Sequence, residues 1–123
     1  MQNEMVFSMD DMPWRNLKEL PAARGFKYKA LVCDDPGYTD TYSCELVALG
    51  PEDHSVAHRE EWNHTLIFLE GQGELTIRGQ KWTVTKGSVA KVKAGDVHLL
   101  TNTGDEQMLV LTIYDPPRPR EKD

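Results

Sequence analysis

The stretch HREEWNHTLIFLEGQG, residues 58–73, decides the fold class of this 123-residue chain. Its second half is a run of apolar and β-branched residues that ends in a glycine-rich turn, which is typical of a β-strand. Its first half places His58, Glu60 and His64 at even spacing. Because side chains alternate between the two faces of an extended chain, these three share one face if the segment is extended.

Short segments of the same kind occupy most of the chain on either side. They are rich in β-branched and aromatic residues, and clusters of turn residues separate them. The pair Gly79-Gln80 lies between two alternating runs and suits a two-residue hairpin loop. Many short strands with regular turns indicate an all-β sandwich or barrel. The predicted strands are 26–33, 42–49, 64–69, 74–78, 81–85, 88–92 and 108–114.

Length and charge exclude several classes of protein. A chain of this length predicts one domain with a core of its own. The formal net charge is −6, and no cluster of Lys and Arg interrupts it, so nucleic acid is excluded as a partner. No apolar run approaches the roughly 18 residues of a membrane span, and the N-terminus lacks the positive region of a signal peptide. We expect a cytoplasmic protein with no membrane contact.

The two cysteines, Cys33 and Cys44, fall in apolar predicted strands. We interpret them as free buried thiols, although they could face each other across a hairpin. Neither belongs to a CxxC pair, so ligation of zinc by sulfur has no support.

The two ends of the chain differ from its centre. Residues 1–25 are predicted to form a strap over the barrel or a dimer arm, with one short helical turn that Asp11 caps. The apolar stripe of that turn consists of Pro13, Trp14, Leu17 and Leu20. In the proline-rich tail, 115–123, residues 116–120 cannot join a sheet and are predicted to run extended; we interpret the tail as an inert terminus, with a binding role as the alternative.

A fourth candidate site residue, His98, follows the turn Gly95-Asp96-Val97 at the start of another apolar run. That turn would bring its imidazole back toward the face that carries His58, Glu60 and His64. Imidazole and carboxylate are the ligands that Fe(II), Mn(II), Ni(II), Cu(II) and Zn(II) prefer. These four residues are therefore the candidate ligands of one divalent transition metal.

The spacing of these residues resembles the two motifs of the cupin family. The first motif runs from an opening glycine through two histidines and a glutamate to a closing glycine. Its counterparts here are Gly50, His58, Glu60, His64 and Gly71. The opening glycine stands a residue or two further from His58 than in the family.

The second cupin motif matches with every spacing intact. Its counterparts are Gly87, Gly95, His98 and Asn102, with Lys93 in place of the usual proline. The resemblance covers roughly residues 26–114, and the short spacing between the motifs is similar to that of small bacterial one-domain cupins. It implies a double-stranded β-helix, a jelly-roll-like barrel that binds a metal inside.

The first motif departs from the family pattern, because the glutamate and one histidine have traded places. Glu60 stands where a cupin usually has its second His, and His64 stands where it usually has Glu. Glu60 is therefore either a direct ligand or a hydrogen-bonding partner of a ligand His, which would leave a three-His face. We interpret Asn102 as a structural hydrogen-bonding residue.

The resemblance implies a metal-dependent enzyme that acts on a small oxygenated organic molecule. A dioxygenase is favoured, with Glu60 as a possible base or ligand; the alternatives are an isomerase, decarboxylase or lyase on a sugar or organic acid. A non-catalytic ligand-binding or sensing module, or a structural metal, would also use this barrel. A homodimer through edge strands is expected. The residues predicted to line the substrate cavity are Trp62, Leu66, Phe68, Leu100 and Tyr42.

Overall fold

The computed structural model describes residues 5–18 and 21–120, and over these ranges the chain is almost entirely β-structure. One 3₁₀ turn, Met9–Asp11, precedes the strands. The strands of the described chain are β1 Arg15–Asn16, β2 Lys27–Val32, β3 Ser43–Leu49, β4 Asn63–Glu70, β5 Gln72–Ile77, β6 Gln80–Thr85, β7 Val89–Val92, β8 His98–Asn102 and β9 Met108–Asp115. The prediction of an all-β barrel is confirmed.

The strands form two sheets in which all pairings are antiparallel. The larger sheet has the order β1-β2-β3-β9-β4-β7, and the smaller has the order β6-β5-β8. Apolar side chains from both sheets share one core. Its most buried members include Leu49, Phe68, Leu75, Met108 and Val110.

Alternation of side chains explains which residues reach this core. In β4, the buried residues are His64, Leu66 and Phe68, and their neighbours in sequence lie on the other face. Burying a Leu or Phe side chain stabilises a fold by roughly 1.5–3 kcal/mol, so the apolar residues set the register of the strand. His64 is turned inward with them because it has the same parity.

The N-terminal segment forms a strand rather than the predicted helical turn. Arg15 and Asn16 pair with Tyr28 and Lys27 and so extend the larger sheet by one short strand. An isolated helical turn makes few backbone hydrogen bonds, whereas the edge of β2 offers partners at once. Leu20, a member of the predicted apolar stripe, lies outside the described residues.

The C-terminal tail packs against the barrel, and the prediction of an inert terminus is wrong for its described part. Residues 116–120 are extended and join no sheet, as expected. The Arg118 amide, however, donates to Ser43 Oγ at 2.9 Å, and the Arg118 carbonyl accepts from Cys33 Sγ at 3.7 Å. Long-range contacts of this kind leave no trace in local sequence patterns.

Cys33 and Cys44 are both free thiols. Burial raises the pKa of Cys33 and, with help from the charge of Glu45, raises the pKa of Cys44 to about 11. Both thiols therefore stay uncharged at neutral pH. In the described chain, no helix is long and apolar enough to cross a membrane.

Candidate metal centre

Three parts of the chain bring the candidate ligands to one end of the barrel interior. His64 lies on β4, and His98 is the first residue of β8. His58 and Glu60 lie in the segment between β3 and β4. The backbones of His58 and His98 exchange two hydrogen bonds, of 3.1 Å and 2.9 Å, so this segment continues the smaller sheet beyond its edge.

The three predicted His ligands converge on one oxygen of the fourth, Glu60 Oε1. It lies 3.0 Å from His58 Nε2, 2.8 Å from His64 Nε2 and 3.8 Å from His98 Nε2. The donor atoms of His58, Glu60 and His98 all lie within 4.8 Å of one another. This His-Glu-His cluster could hold a metal ion, and His64 adjoins it through Glu60.

Backbone carbonyls orient two of the imidazoles. His58 Nδ1 lies 2.5 Å from the Val56 carbonyl, and His98 Nδ1 lies 3.0 Å from the Asp96 carbonyl. A carbonyl only accepts, so each Nδ1 carries the proton. In the neutral ring the lone pair then belongs to Nε2, the atom that faces the site.

This arrangement fits a divalent cation. With its proton on Nδ1, a neutral His58 cannot donate from Nε2 to Glu60, so a lone pair faces a carboxylate at 3.0 Å. A cation between imidazole nitrogens and a carboxylate removes this repulsion, whereas without one the His58 ring needs a second proton. Two imidazoles and one carboxylate, as in the His58-Glu60-His98 cluster, are donors of the kind that Fe, Mn, Ni, Cu and Zn take in proteins.

In the metal-free site, where His58 donates to Glu60 only with both ring protons in place, the pKa values of three clustered groups are shifted. Burial, together with the nearby rings of His58 and His64, lowers the pKa of His98 to about 4, so this ring is neutral at pH 7. Burial alone would raise the pKa of Glu60, but hydrogen bonds from His58 and His64 and the charge of Arg118 hold it well below its usual range. Burial would lower the pKa of His58, but the hydrogen bond with Glu60 outweighs it, so that pKa is raised.

Arg118 is a site residue that the sequence analysis missed. Its Nη1 forms an ion pair with Glu60 Oε2 and donates to the Tyr114 hydroxyl at 3.3 Å. Its guanidinium lies over the rings of Trp62, at 5.0 Å, and Tyr114, at 5.4 Å. No spacing in the sequence connects it with the histidines, because the folding back of the tail brings it there.

A cavity of about 490 Å³, including its mouth, opens onto the cluster. Its walls are mostly apolar, and the three histidines, Glu60 and Arg118 lie together in them as one group, here called the polar end of the cavity. The apolar residues that line it are Leu17, Phe26, Val47, Leu66, Leu75, Leu100 and Val110.

Of the five residues predicted to line the cavity, two do so and three do not. Leu66 and Leu100 line it. Trp62 does not line it, and its ring lies against the Arg118 guanidinium instead. Phe68 is packed in the core, and Tyr42 lies near the surface with its hydroxyl 3.5 Å from that of Tyr38, so neither lines this cavity.

Asn102, from the second motif, has a structural position. Its side-chain amide donates to the carbonyls of Leu49 and Glu106, at 2.8 Å and 2.9 Å, and its oxygen accepts from the Gly104 amide. These bonds tie β8 to the end of β3 and to the loop before β9.

The fold and the site together define a small β-barrel with a histidine-carboxylate centre. Residues 45–114 match the family model described as Cupin domain, and the chain belongs to the cupin family. The recognition of a small cupin domain from its two motifs is thereby confirmed.

Among known proteins, a 5-nitrosalicylic acid 1,2-dioxygenase from Bradyrhizobium sp is 25% identical over 97 residues. The match covers 72% of this chain and 47% of that protein, so the chain spans about half the length of its relative. A predicted oxalate decarboxylase from Thermotoga maritima superposes with a TM-score of 0.81 at 18% identity, over 91% of this chain and 99% of the other. The polyketide cyclase RemF from Streptomyces resistomycificus superposes with a TM-score of 0.81 at 20% identity, over 95% and 82%. At these identities, the two structures support the fold alone.

Proposed function

We propose that this protein is a metal-dependent dioxygenase that acts on a small oxygenated organic molecule. The observation that carries the proposal is the convergence of three imidazole Nε2 atoms on Glu60 Oε1 in the wall of a cavity. The cavity has mostly apolar walls and a few polar side chains, a combination that is usual for small-molecule sites.

In this proposal, His58, His64 and His98 hold the metal, and Glu60 completes the set. A bound transition metal supplies Lewis acidity and, in the case of iron, the capacity to activate dioxygen. The apolar walls bind the carbon skeleton of the substrate and exclude bulk water from the polar end. The Val56 and Asp96 carbonyls keep two imidazoles oriented.

The relative from Bradyrhizobium sp supports both the reaction and a substrate class. Its name describes the 1,2-dioxygenation of an aromatic hydroxy acid, 5-nitrosalicylic acid. We extend that class, a carboxylic acid with a neighbouring oxygen on an apolar ring, to this chain. A homodimer and a cytoplasmic location remain predictions from the sequence.

Metal analysis and oxygen uptake test the proposal. Protein purified without a histidine tag is loaded anaerobically with Fe(II) and mixed with salicylate and related hydroxybenzoates in an oxygen-electrode cell. We expect about one metal per chain and oxygen uptake that needs both metal and substrate. His98→Ala should lose most of both, and Arg59→Gln, an exposed change next to Glu60, should lose neither.

Other results would redirect or end the proposal. Unchanged metal content in His98→Ala would remove His98 from the site. Conversion of the acid without oxygen uptake would indicate a decarboxylase, isomerase or lyase, and tight binding without turnover would indicate a binding module. A large fall in Tm on chelation, with no ligand bound by any form, would indicate a structural metal.

A further inference from the structure

The charges at the polar end of the cavity leave an excess of positive charge once a metal is bound. Among the residues that line it, Glu60 and Arg118 carry opposite charges and cancel. Imidazoles that ligate a metal are neutral. A divalent cation would therefore leave a net charge of about +2 in a largely apolar enclosure, where an unbalanced charge is costly. Small anions are the species that restore the balance.

Arg118 has hydrogen-bonding capacity to spare at this place. Its Nη1 forms the ion pair with Glu60 and donates to the Tyr114 hydroxyl. Its Nε and Nη2 donate to no acceptor in the described parts of the chain. These two groups form one edge of the guanidinium, and their parallel N–H bonds match the two oxygens of a carboxylate.

The guanidinium is held in place before any ligand arrives. Its side chain is 9% exposed and lies against the rings of Trp62 and Tyr114. The backbone amide of the same residue is anchored to Ser43 Oγ. Little side-chain entropy remains to be lost on binding, and this preorganisation favours affinity.

The position of Glu60 also shows how close Arg118 lies to the imidazoles. One of its oxygens reaches the imidazoles and the other reaches Arg118, so one carboxylate spans the gap. Arg118 and the imidazoles therefore lie close enough together for one small ligand to contact both.

We propose that Arg118 binds the carboxylate of a small organic acid, and that it makes the cavity selective for acids with a neighbouring hydroxyl or keto oxygen on an apolar body. The inference deepens the proposed function and rests on it for the metal, but it does not require turnover. It assigns substrate recognition to the tail, outside the residues 45–114 that match the family model.

Titration calorimetry with redox-inert Zn(II)-loaded protein tests this inference. The probes are salicylate and its neutral analogue salicylamide. We expect the wild-type protein to bind salicylate more tightly than salicylamide. Arg118→Gln should weaken salicylate binding by about tenfold or more and leave salicylamide nearly unchanged, since only the acid offers a charge for the guanidinium.

Two further variants control for charge and for folding. Arg59→Gln removes the same charge from an exposed position beside Glu60 and should bind both probes like the wild type. Arg118→Lys keeps the charge without the planar fork, and we expect an intermediate affinity for salicylate. If Arg118→Gln fails to fold, as judged by circular dichroism, Arg118→Lys carries the test alone.

The readouts separate this inference from the proposed function. Zinc bound by every variant, with equal salicylate affinity in wild type and Arg118→Gln, would overturn the inference and leave the metal site intact. No zinc in the wild-type protein would overturn the proposed function; the titration repeated on metal-free protein would then test Arg118 by itself. No salicylate binding by any form would overturn the assignment of this ligand class.

Discussion

At the scale of single residues, Glu60 organises the site. Its side chain is 8% exposed, and its two oxygens face different partners, the imidazoles on one side and Arg118 on the other. A buried pair of charges contributes little net stability, because desolvation offsets the attraction, but removal of one partner is costly. The pair is therefore better explained by the function of the cavity than by the stability of the barrel.

The buried ring of His98 predicts that the metal-free protein loses stability in acid. Its pKa is lowered from the ordinary 6.5 to about 4, so folding favours the neutral ring. The stability that the neutral His98 ring contributes to the folded state is complete above pH 6.5 and is lost as the pH falls toward 4. We expect it to reduce the free energy of unfolding by about 2–3 kcal/mol over that interval.

Urea unfolding in EDTA at several pH values measures this effect. His98→Gln has no ring to protonate and should show a flatter profile between pH 6.5 and 4. The raised pKa of His58 has the opposite sign, since its stabilisation is complete below pH 6.5 and is lost as the pH rises through the raised value. A profile for His98→Gln as steep as that of the wild type would contradict the prediction.

At the scale of elements, the site forms because β4 of the larger sheet and β8 of the smaller sheet begin near the same point. β4 carries His64 from the larger sheet and β8 carries His98 from the smaller one. The segment before β4 bridges to β8 through His58. The close approach of the strands depends on residues without side chains, and Gly73 in β5 is the clearest case.

Gly73→Ala is predicted to destabilise the barrel. A Cβ there would lie 2.6 Å from the Thr101 carbonyl oxygen, and it would also overlap the Met108 side chain, which is fully buried. Backbone cannot yield easily, so we expect a loss of about 2–3 kcal/mol in the free energy of unfolding. Gly37→Ala is the matched control, because nothing lies within 4 Å of its added Cβ. Equal Tm values for the two variants would show that β5 accommodates a Cβ at position 73, and would contradict the prediction.

At the scale of the whole molecule, the tail closes the barrel through a second buried ion pair. Arg120 donates to both oxygens of Glu45, a residue of β3 that lies 75 positions earlier in the chain. The side chains are 5% and 4% exposed. The Arg120 guanidinium also lies over the ring of Tyr28, 4.4 Å from its centroid. These contacts hold the segment that carries Arg118.

Arg120→Gln should therefore be strongly destabilising, by about 3–5 kcal/mol, because it leaves the Glu45 carboxylate buried without a counter-charge. Chemical denaturation of the single and double variants checks this. The double variant Glu45→Gln/Arg120→Gln removes both charges and should recover much of the loss. If the double variant is no more stable than Arg120→Gln, the cost does not come from an unpaired charge.

Much of the fold and of the candidate site could be predicted because the signals are local. Period-two alternation and turn residues mark the strands, and the all-β prediction is confirmed. The same alternation puts His58, Glu60 and His64 on one face, and the structure brings these residues together with His98. The prediction of a helical turn near Trp14 is wrong because the segment pairs with the edge of β2, and local propensity does not indicate such a partner.

By itself, then, the sequence determined the strand pattern, the cupin motifs and the candidate ligands, since each depends on neighbours within a few residues. Only the tertiary structure decided that Arg118 completes the polar end of the cavity and that Tyr42 lies away from it. The physical reason is that a side chain's surroundings depend on where distant segments fold. The path of the tail is set by contacts with Ser43 and Glu45, more than 70 residues earlier in the chain.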